Sequence, residues 1–215
     1  MLKDIAIFGA GGFGREVACL IRQINERVPT WNLVGFFDDN PELKGSRNRY
    51  GEVLGGIAEL NEWERPLALA IAIGSPSVLQ NVVRNVTNPL AEFPNIIAPD
   101  FGISDPEAFH IGTGNIIGFG CAVSCDVSIG DHNILNADIV MGHDARIGNF
   151  NVLMPDIRIS GEVTIGDRNM IGVGSIILQQ ITVGCDVRLG AGAVLMTKPK
   201  DGATYIGNPA KKVVF

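Results

Sequence analysis

The 215-residue chain predicts a small α/β unit over residues 1–100, a parallel β-helix of short strands over 105–200, and a tail over 201–215. Three observations carry this reading. An aliphatic residue recurs every six positions from Ile111 to Leu195. The first hundred residues alternate strand-like and helix-like segments. The composition is 46% hydrophobic but only 7% aromatic, with 27 glycines, which suits an aliphatic core on a tightly turned backbone.

The first half begins with an apolar run, Ile5-Ala6-Ile7-Phe8, read as a buried strand. Gly9-Ala10-Gly11-Gly12-Phe13-Gly14 is a glycine turn, and Arg15 to about Glu26 is an amphipathic helix with Val17, Leu20, Ile21 and Ile24 on one side. Leu33–Phe37 is a second strand, ending in Asp38-Asp39. Leu69–Ile73 is a third, followed by Gly74-Ser75-Pro76 and a helix over 77–86. Strands alternating with helices imply a parallel sheet. Gly9, Gly11 and Gly14, between a strand and a helix, satisfy the phosphate-binding fingerprint, in which N–H groups at a helix N-terminus attract an anion. Asp38 is placed to bind a ribose hydroxyl. These residues alone fit an NAD-binding oxidoreductase module, or a turn that serves packing only. About 100 residues supply one mononucleotide-sized half, where a dinucleotide needs two.

The second half is governed by a period of six. The series is Ile111, Ile117, Val123, Ile129, Leu135, Met141, Ile147, Leu153, Ile159, Ile165, Ile171, Ile177, Val183, Leu189 and Leu195. At a background of about one third aliphatic, such a run arises by chance on the order of once in ten million. Neither the helical period of 3.6 nor the strand period of 2 produces it. Three hexads close one triangular coil, so each inward side chain stacks on the residue 18 positions later. Ile111, Ile129, Ile147, Ile165 and Val183 form one such column. About five coils at roughly 4.8 Å each make a prism about 24 Å tall. The position after the aliphatic residue is often glycine, as at Gly112, Gly118, Gly130, Gly142, Gly148, Gly166, Gly172, Gly184 and Gly190. The pattern predicts corners with positive φ at these glycines.

The net charge of −6 disfavours a nucleic-acid partner. No apolar run reaches the roughly 18 residues of a membrane span, and the N-terminus runs straight into a strand rather than a signal peptide. Cys19, Cys121, Cys125 and Cys185 form no CxxC pair and no zinc spacing. They are expected to be reduced thiols of a cytoplasmic chain without a metal site.

Three histidines are present. His110 is expected to be exposed at a coil edge, and His132, after Gly130-Asp131, at the surface of a turn. His143 has small residues, Cys125 and Gly161, one coil below and above it, so a substrate can approach the ring. Asp144 follows, in a column with Asp126, Glu162 and Gln180. Carboxylates beside an imidazole suit it to act as a base.

Taken together, Gly9–Gly14, Gly35-Phe36-Phe37-Asp38-Asp39, Ile73-Gly74-Ser75, Met141-Gly142-His143-Asp144, Ile147-Gly148 and Gly207-Asn208-Pro209-Ala210-Lys211 resemble the NeuD/PglD-like sugar O-/N-acetyltransferase family. This is a family of hexapeptide-repeat acyltransferases. The resemblance spans the chain and implies a Rossmann-like unit followed by a left-handed parallel β-helix. It implies that Gly9, Gly11, Gly12, Phe13, Gly14, Asp38, Asp39, Gly74 and Ser75 bind a nucleotide-linked sugar. It makes His143 the catalytic base with Asp144, and Asn136 a substrate contact supplied across a subunit boundary of a homotrimer. It places acetyl-CoA, the co-substrate, along the later coils at Val152, Val173 and Ala191; Lys198 and Lys211, in a lysine cluster of the last 18 residues, are read either as contacts to its phosphates or as solvated surface. Phe13 stands where many members carry histidine, and Val152 where several carry a second one. The implied activity is acetyl-CoA-dependent acetylation of a nucleotide-linked amino sugar for a cell-surface polysaccharide. O-acetylation of sialic acid or another sugar, and a non-enzymatic nucleotide-binding scaffold, are the alternatives.

Overall fold

A computed structural model describes residues 1–214, which divide after Pro99 into two compact units. Phe215, the last residue of the expected tail, lies outside the described residues.

The first unit is an α/β sheet of six strands. Its elements are β1 (Lys3–Phe8), α1 (Gly12–Arg27), β2 (Trp31–Phe37), β3 (Arg47–Asn48), β4 (Gly51–Gly55), α2 (Ile57–Asn61), β5 (Leu67–Ile71), α3 (Pro76–Asn85) and β6 (Ala91–Glu92). The sheet order is β3-β4-β2-β1-β5-β6, and every pair except β3–β4 is parallel. Ile5 to Phe8 are buried, as are all five residues of β5, because both faces of these central strands are covered. α1 turns Val17, Leu20 and Ile21 inward. The segment 41–66 had no strong periodic pattern, yet it supplies β3, β4 and α2.

Two glycines fix the turn after β1. Gly9 has φ +109°, and a methyl group on its Cα would lie 2.6 Å from the Ala72 carbonyl oxygen beyond β5. A methyl on Gly14 would overlap the Gly9 carbonyl, so α1 can start only where position 14 lacks a side chain. Gly11 and Gly12 face open space.

The second unit is a left-handed parallel β-helix of two-residue strands on three walls. One wall stacks His110–Ile111, Ser128–Ile129, Arg146–Ile147, Thr164–Ile165 and Thr182–Val183. Ile111 pairs with Ile129, Ile129 with Ile147, Ile147 with Ile165, and Ile165 with Val183, the 18-residue column of the sequence pattern. A second wall runs from Gly102–Ile103 to Val194–Leu195. On the third, Thr204–Ile206 pairs with Arg188–Leu189, and Lys211–Val213 folds back antiparallel on it, so the last residues extend a wall. Apart from Ile111, every member of the six-residue series is buried.

The glycine expectation needs correction. Positive φ occurs three residues after the aliphatic position, at Asp126, His132, Asp138, Asp144, Phe150, Asp156, Glu162, Arg168, Gln180 and Asp186 and at glycines such as Gly114. The glycine directly after the aliphatic residue is there for close approach. A methyl on Gly130 would lie 2.5 Å from the Gly148 carbonyl oxygen of the next coil, and one on Gly166 would lie 2.6 Å from that of Gly184. Stacked backbones leave no volume for a side chain at these points.

Each hexad also has a second inward position, one residue after the left-handed corner. It carries Val127, Ile139, Ala145, Ile157, Val163 and Val187, all fully or almost fully buried. At one corner it carries asparagines. Asn115, Asn133, Asn151 and Asn169 are fully buried and stacked 18 residues apart. Each amide oxygen accepts the backbone N–H one coil on, at 2.8–2.9 Å. This polar ladder runs inside an otherwise aliphatic prism.

Candidate active site

In the first unit, three expected contact segments meet at the C-terminal ends of neighbouring parallel strands. Gly9–Gly14 follows β1, Asp38-Asp39 follows β2, and Gly74-Ser75 follows β5. Ligands of open α/β sheets bind at this edge. Gly11, Gly12 and Gly74 are exposed, while Phe13 and Ser75 are half-buried. Asp38 has a structural task as well: its Oδ2 accepts the Ala10 N–H at 2.8 Å and its Oδ1 the Asn40 N–H at 3.0 Å. A carboxylate has about four lone-pair sites, so it can still accept from a ligand. Asp39 Oδ1 accepts the Ile57 N–H at 2.9 Å, capping α2.

A cleft of about 200 Å³ opens beside these two aspartates, between the end of β2 and the start of α2. Lys44, Ile57 and Glu59 line it, and the sequence pattern gave no reason to single them out. The Lys44 ammonium beside Glu59 and the Gly56 N–H hold the Glu59 carboxyl down at about 2. The cleft therefore presents an ionised carboxylate already paired with a lysine.

In the prism, His143 follows the strand Val140–Met141 at a corner. Successive side chains of a strand point to opposite faces. Here Asp144 takes the left-handed conformation, φ +57°, and its carboxylate returns to the side of the preceding ring. Asp144 Oδ2 lies 2.8 Å from His143 Nδ1, with both side chains 55% exposed. A carboxylate can only accept, so in the neutral ring the proton sits on Nδ1 and the lone pair on Nε2. Gly161, one coil on, lies against the Nε2 edge of the ring.

The other histidines differ. His110 is exposed, as expected. His132 is not at the surface: it is 8% exposed, with its ring stacked on Phe150 one coil on at 5.2 Å and 8°. Both residues adopt left-handed corners, which align their rings, and burial lowers the His132 pKa.

Asn136 is half-buried at a different corner, its amide donating to the Leu153 carbonyl at 3.1 Å. A wall separates it from His143, so one prism does not bring the two together. Val173 and Ala191 are exposed neighbours on stacked coils, joined where the Gly192 N–H donates to the Val173 carbonyl at 2.8 Å. Lys198 and Lys211 are exposed. Val152 does not fit its expected role. It is fully buried, between Ile134 and Met170 in its wall, and its side chain offers no surface to acetyl-CoA. Among the described residues, no group of three or more His, Cys, Asp or Glu side chains could hold a metal, and no helix is long and apolar enough to cross a membrane.

A glycine-turned α/β unit joined to a left-handed β-helix that presents a paired histidine defines a hexapeptide-repeat acyltransferase. Comparison with known proteins narrows the class. Residues 4–86 match the PglD N-terminal domain family. The acetyltransferase domain of PglB from Neisseria gonorrhoeae is 31% identical over 98% of this chain and 100% of that one, with a TM-score of 0.88. PerB from Caulobacter crescentus is 28% identical over 100% of this chain and 99% of that one, with a TM-score of 0.87. WeeI from Acinetobacter baumannii is 25% identical over 98% and 100%, also with a TM-score of 0.87. No curated protein sequence matches the chain. The chain belongs to the NeuD/PglD-like family of sugar acetyltransferases, and it is an acyltransferase.

Proposed function

We propose that the chain transfers an acetyl group from acetyl-CoA to the amine of a nucleotide-linked amino sugar, with His143 as general base. The observation that carries this reading is the His143–Asp144 pair, which leaves Nε2 open to an incoming nucleophile. The amine attacks the thioester carbonyl, and Nε2 takes the proton that the nitrogen sheds. The tetrahedral intermediate collapses with loss of the coenzyme A thiolate, which recovers that proton from the imidazolium. A backbone N–H of the prism wall stabilises the oxyanion. No acyl-enzyme and no metal take part.

The similar structures support the two substrates. The PglB domain has been seen with acetyl coenzyme A, and PerB with CoA and GDP-perosamine. The perosamine N-acetyltransferase still holds both ligands when one of its histidines is replaced by asparagine. We assign the nucleotide to the ends of β1, β2 and β5, where the turn's N–H donors suit a diphosphate and Asp38 and Asp39 suit the ribose or base. Phe13 packs against sugar or base there. Val173, Ala191, Lys198 and Lys211 are assigned to coenzyme A.

The test is release of free thiol from acetyl-CoA with UDP-, GDP-, dTDP- and CMP-linked amino sugars. Asp38→Ala is expected to raise the KM for the active nucleotide sugar about tenfold or more, the worth of a hydrogen bond to a charged group. The KM for acetyl-CoA should stay unchanged, because the lost contact is remote from the reacting atoms. Turnover of a free sugar, indifferent to Asp38→Ala and without turnover of any nucleotide sugar, would replace this reading with O-acetylation.

Because Asn136 and His143 occupy different corners, we infer that a complete site draws them from two subunits of a homotrimer. Light scattering should then give about 69 kDa, three times the 22.9 kDa chain. A stable monomer with full turnover would eliminate the shared site.

A further inference from the structure

We infer that Gly161 is a positioning residue that sets where the His143 imidazole lies; this rests on the base role proposed for His143. Glycines that follow the aliphatic position, such as Gly130 and Gly166, face the backbone of the next coil. Others, such as Gly174 and Gly192, have positive φ. Gly161 belongs to neither group. Its φ lies outside the left-handed region, so its backbone accepts any residue. The three atoms nearest to its missing side chain all belong to the His143 ring. A methyl there would lie 2.5 Å from Nε2, 2.7 Å from Cε1 and 3.0 Å from Cδ2.

Ordinary contact begins at about 3.5 Å, so the ring would have to retreat by about 1 Å. On its other side it is held by Asp144, 2.8 Å from Nδ1. The corner that presents Asp144 is itself fixed, because its N–H donates to the Cys125 carbonyl at 3.0 Å. The imidazole thus lies between a carboxylate that holds Nδ1 and a bare Cα that admits Nε2. Gly142 lets the two coils close up at the same place, since a methyl on it would lie 2.6 Å from the Gly161 nitrogen. The ring is more than half exposed, so a side chain at 161 would displace the ring and leave the coil intact.

The experiment is Gly161→Ala, alone and combined with His143→Ala, in the full-length enzyme. The single variant is expected to lose about 100-fold in kcat, the effect of misplacing a reacting group by about 1 Å. The KM for each substrate, the thermal midpoint and the oligomeric mass should stay those of the wild type. In the His143→Ala background, Gly161→Ala should cause no further loss, because it acts through the ring. Full kcat in Gly161→Ala beside an inactive His143→Ala would overturn the positioning role while sparing the base assignment. A second 100-fold loss in the double variant would overturn it too, as would a loss of kcat that tracks a fall in thermal midpoint. If His143→Ala itself keeps turnover, the base assignment fails first.

Discussion

Replacing His143 by alanine is expected to lower kcat about 10²–10⁴-fold, the usual contribution of a general base. The nucleophile must lose a proton as the carbon–nitrogen bond forms. In the proposed mechanism the acceptor is Nε2, because Asp144 lies 2.8 Å from Nδ1. Binding of acetyl-CoA and acceptor should survive, since neither the glycine turn nor the later coils depend on this ring. His110→Ala should leave turnover unchanged, as its side chain is exposed on another wall. His132→Ala should also turn over normally, although it loses the stack on Phe150 and should melt earlier. Steady-state rates of thiol release, measured well below the melting temperature, separate these outcomes. Near-wild-type turnover in His143→Ala would remove the proposed mechanism.

The second large effect is expected inside the prism. Asn151→Leu nearly conserves volume but breaks the ladder at its centre. Asn151 Oδ1 accepts both the backbone N–H and the side-chain amide of Asn169 at 2.9 Å. Its own amide donates to Asn133 Oδ1 at 2.9 Å and to the Gly166 carbonyl at 2.8 Å. Leucine leaves the Asn169 N–H and the Gly166 carbonyl without these partners, while Asn133 Oδ1 keeps the Asn151 backbone N–H and the Asn169 amide keeps the Gly184 carbonyl; each unmet buried group costs about 1–3 kcal/mol. The expected destabilisation is about 3–5 kcal/mol, which for a chain of this size lowers the thermal midpoint by about 10 °C. Thr182→Ala, on an exposed wall, should change stability by less than about 0.5 kcal/mol. Thermal unfolding followed by circular dichroism reads both. A midpoint within two or three degrees of wild type for Asn151→Leu would mean that the ladder is not a major source of stability.

That ladder shows how far the pattern alone could be read. The aliphatic series identified one inward position per hexad, and all of its members but Ile111 are buried. The second inward position escaped because its residues differ from corner to corner. Its asparagines recur every 18 residues, and a search at the coil period would have found them. The glycines that often follow the aliphatic residue suggested a positive φ that the structure places two residues later, since a sequence shows where a side chain is missing and not what fills its place. The β3–β4 and α2 segment was illegible because strands of two and five residues and a helix of five carry too little periodicity.

The sequence by itself determined the alternation of strand and helix in the first half, apart from β3, β4 and α2, and the stacking partners along the six-residue series. Short strands in an uninterrupted series leave the chain no slack, so a period of six carries the register with it. It also singled out His143 and Asp144 as neighbours. Only the tertiary structure decided how that pair is arranged. The left-handed φ of Asp144, held by a bond to the coil below, turns its carboxylate onto Nδ1. The bare Cα of Gly161 leaves room for the opposite edge of the ring. The same stacking buried His132 against Phe150, and Val152 is buried as well. Spacing fixes which residues are close. The backbone angle at each corner, set by hydrogen bonds between coils, decides which atoms meet.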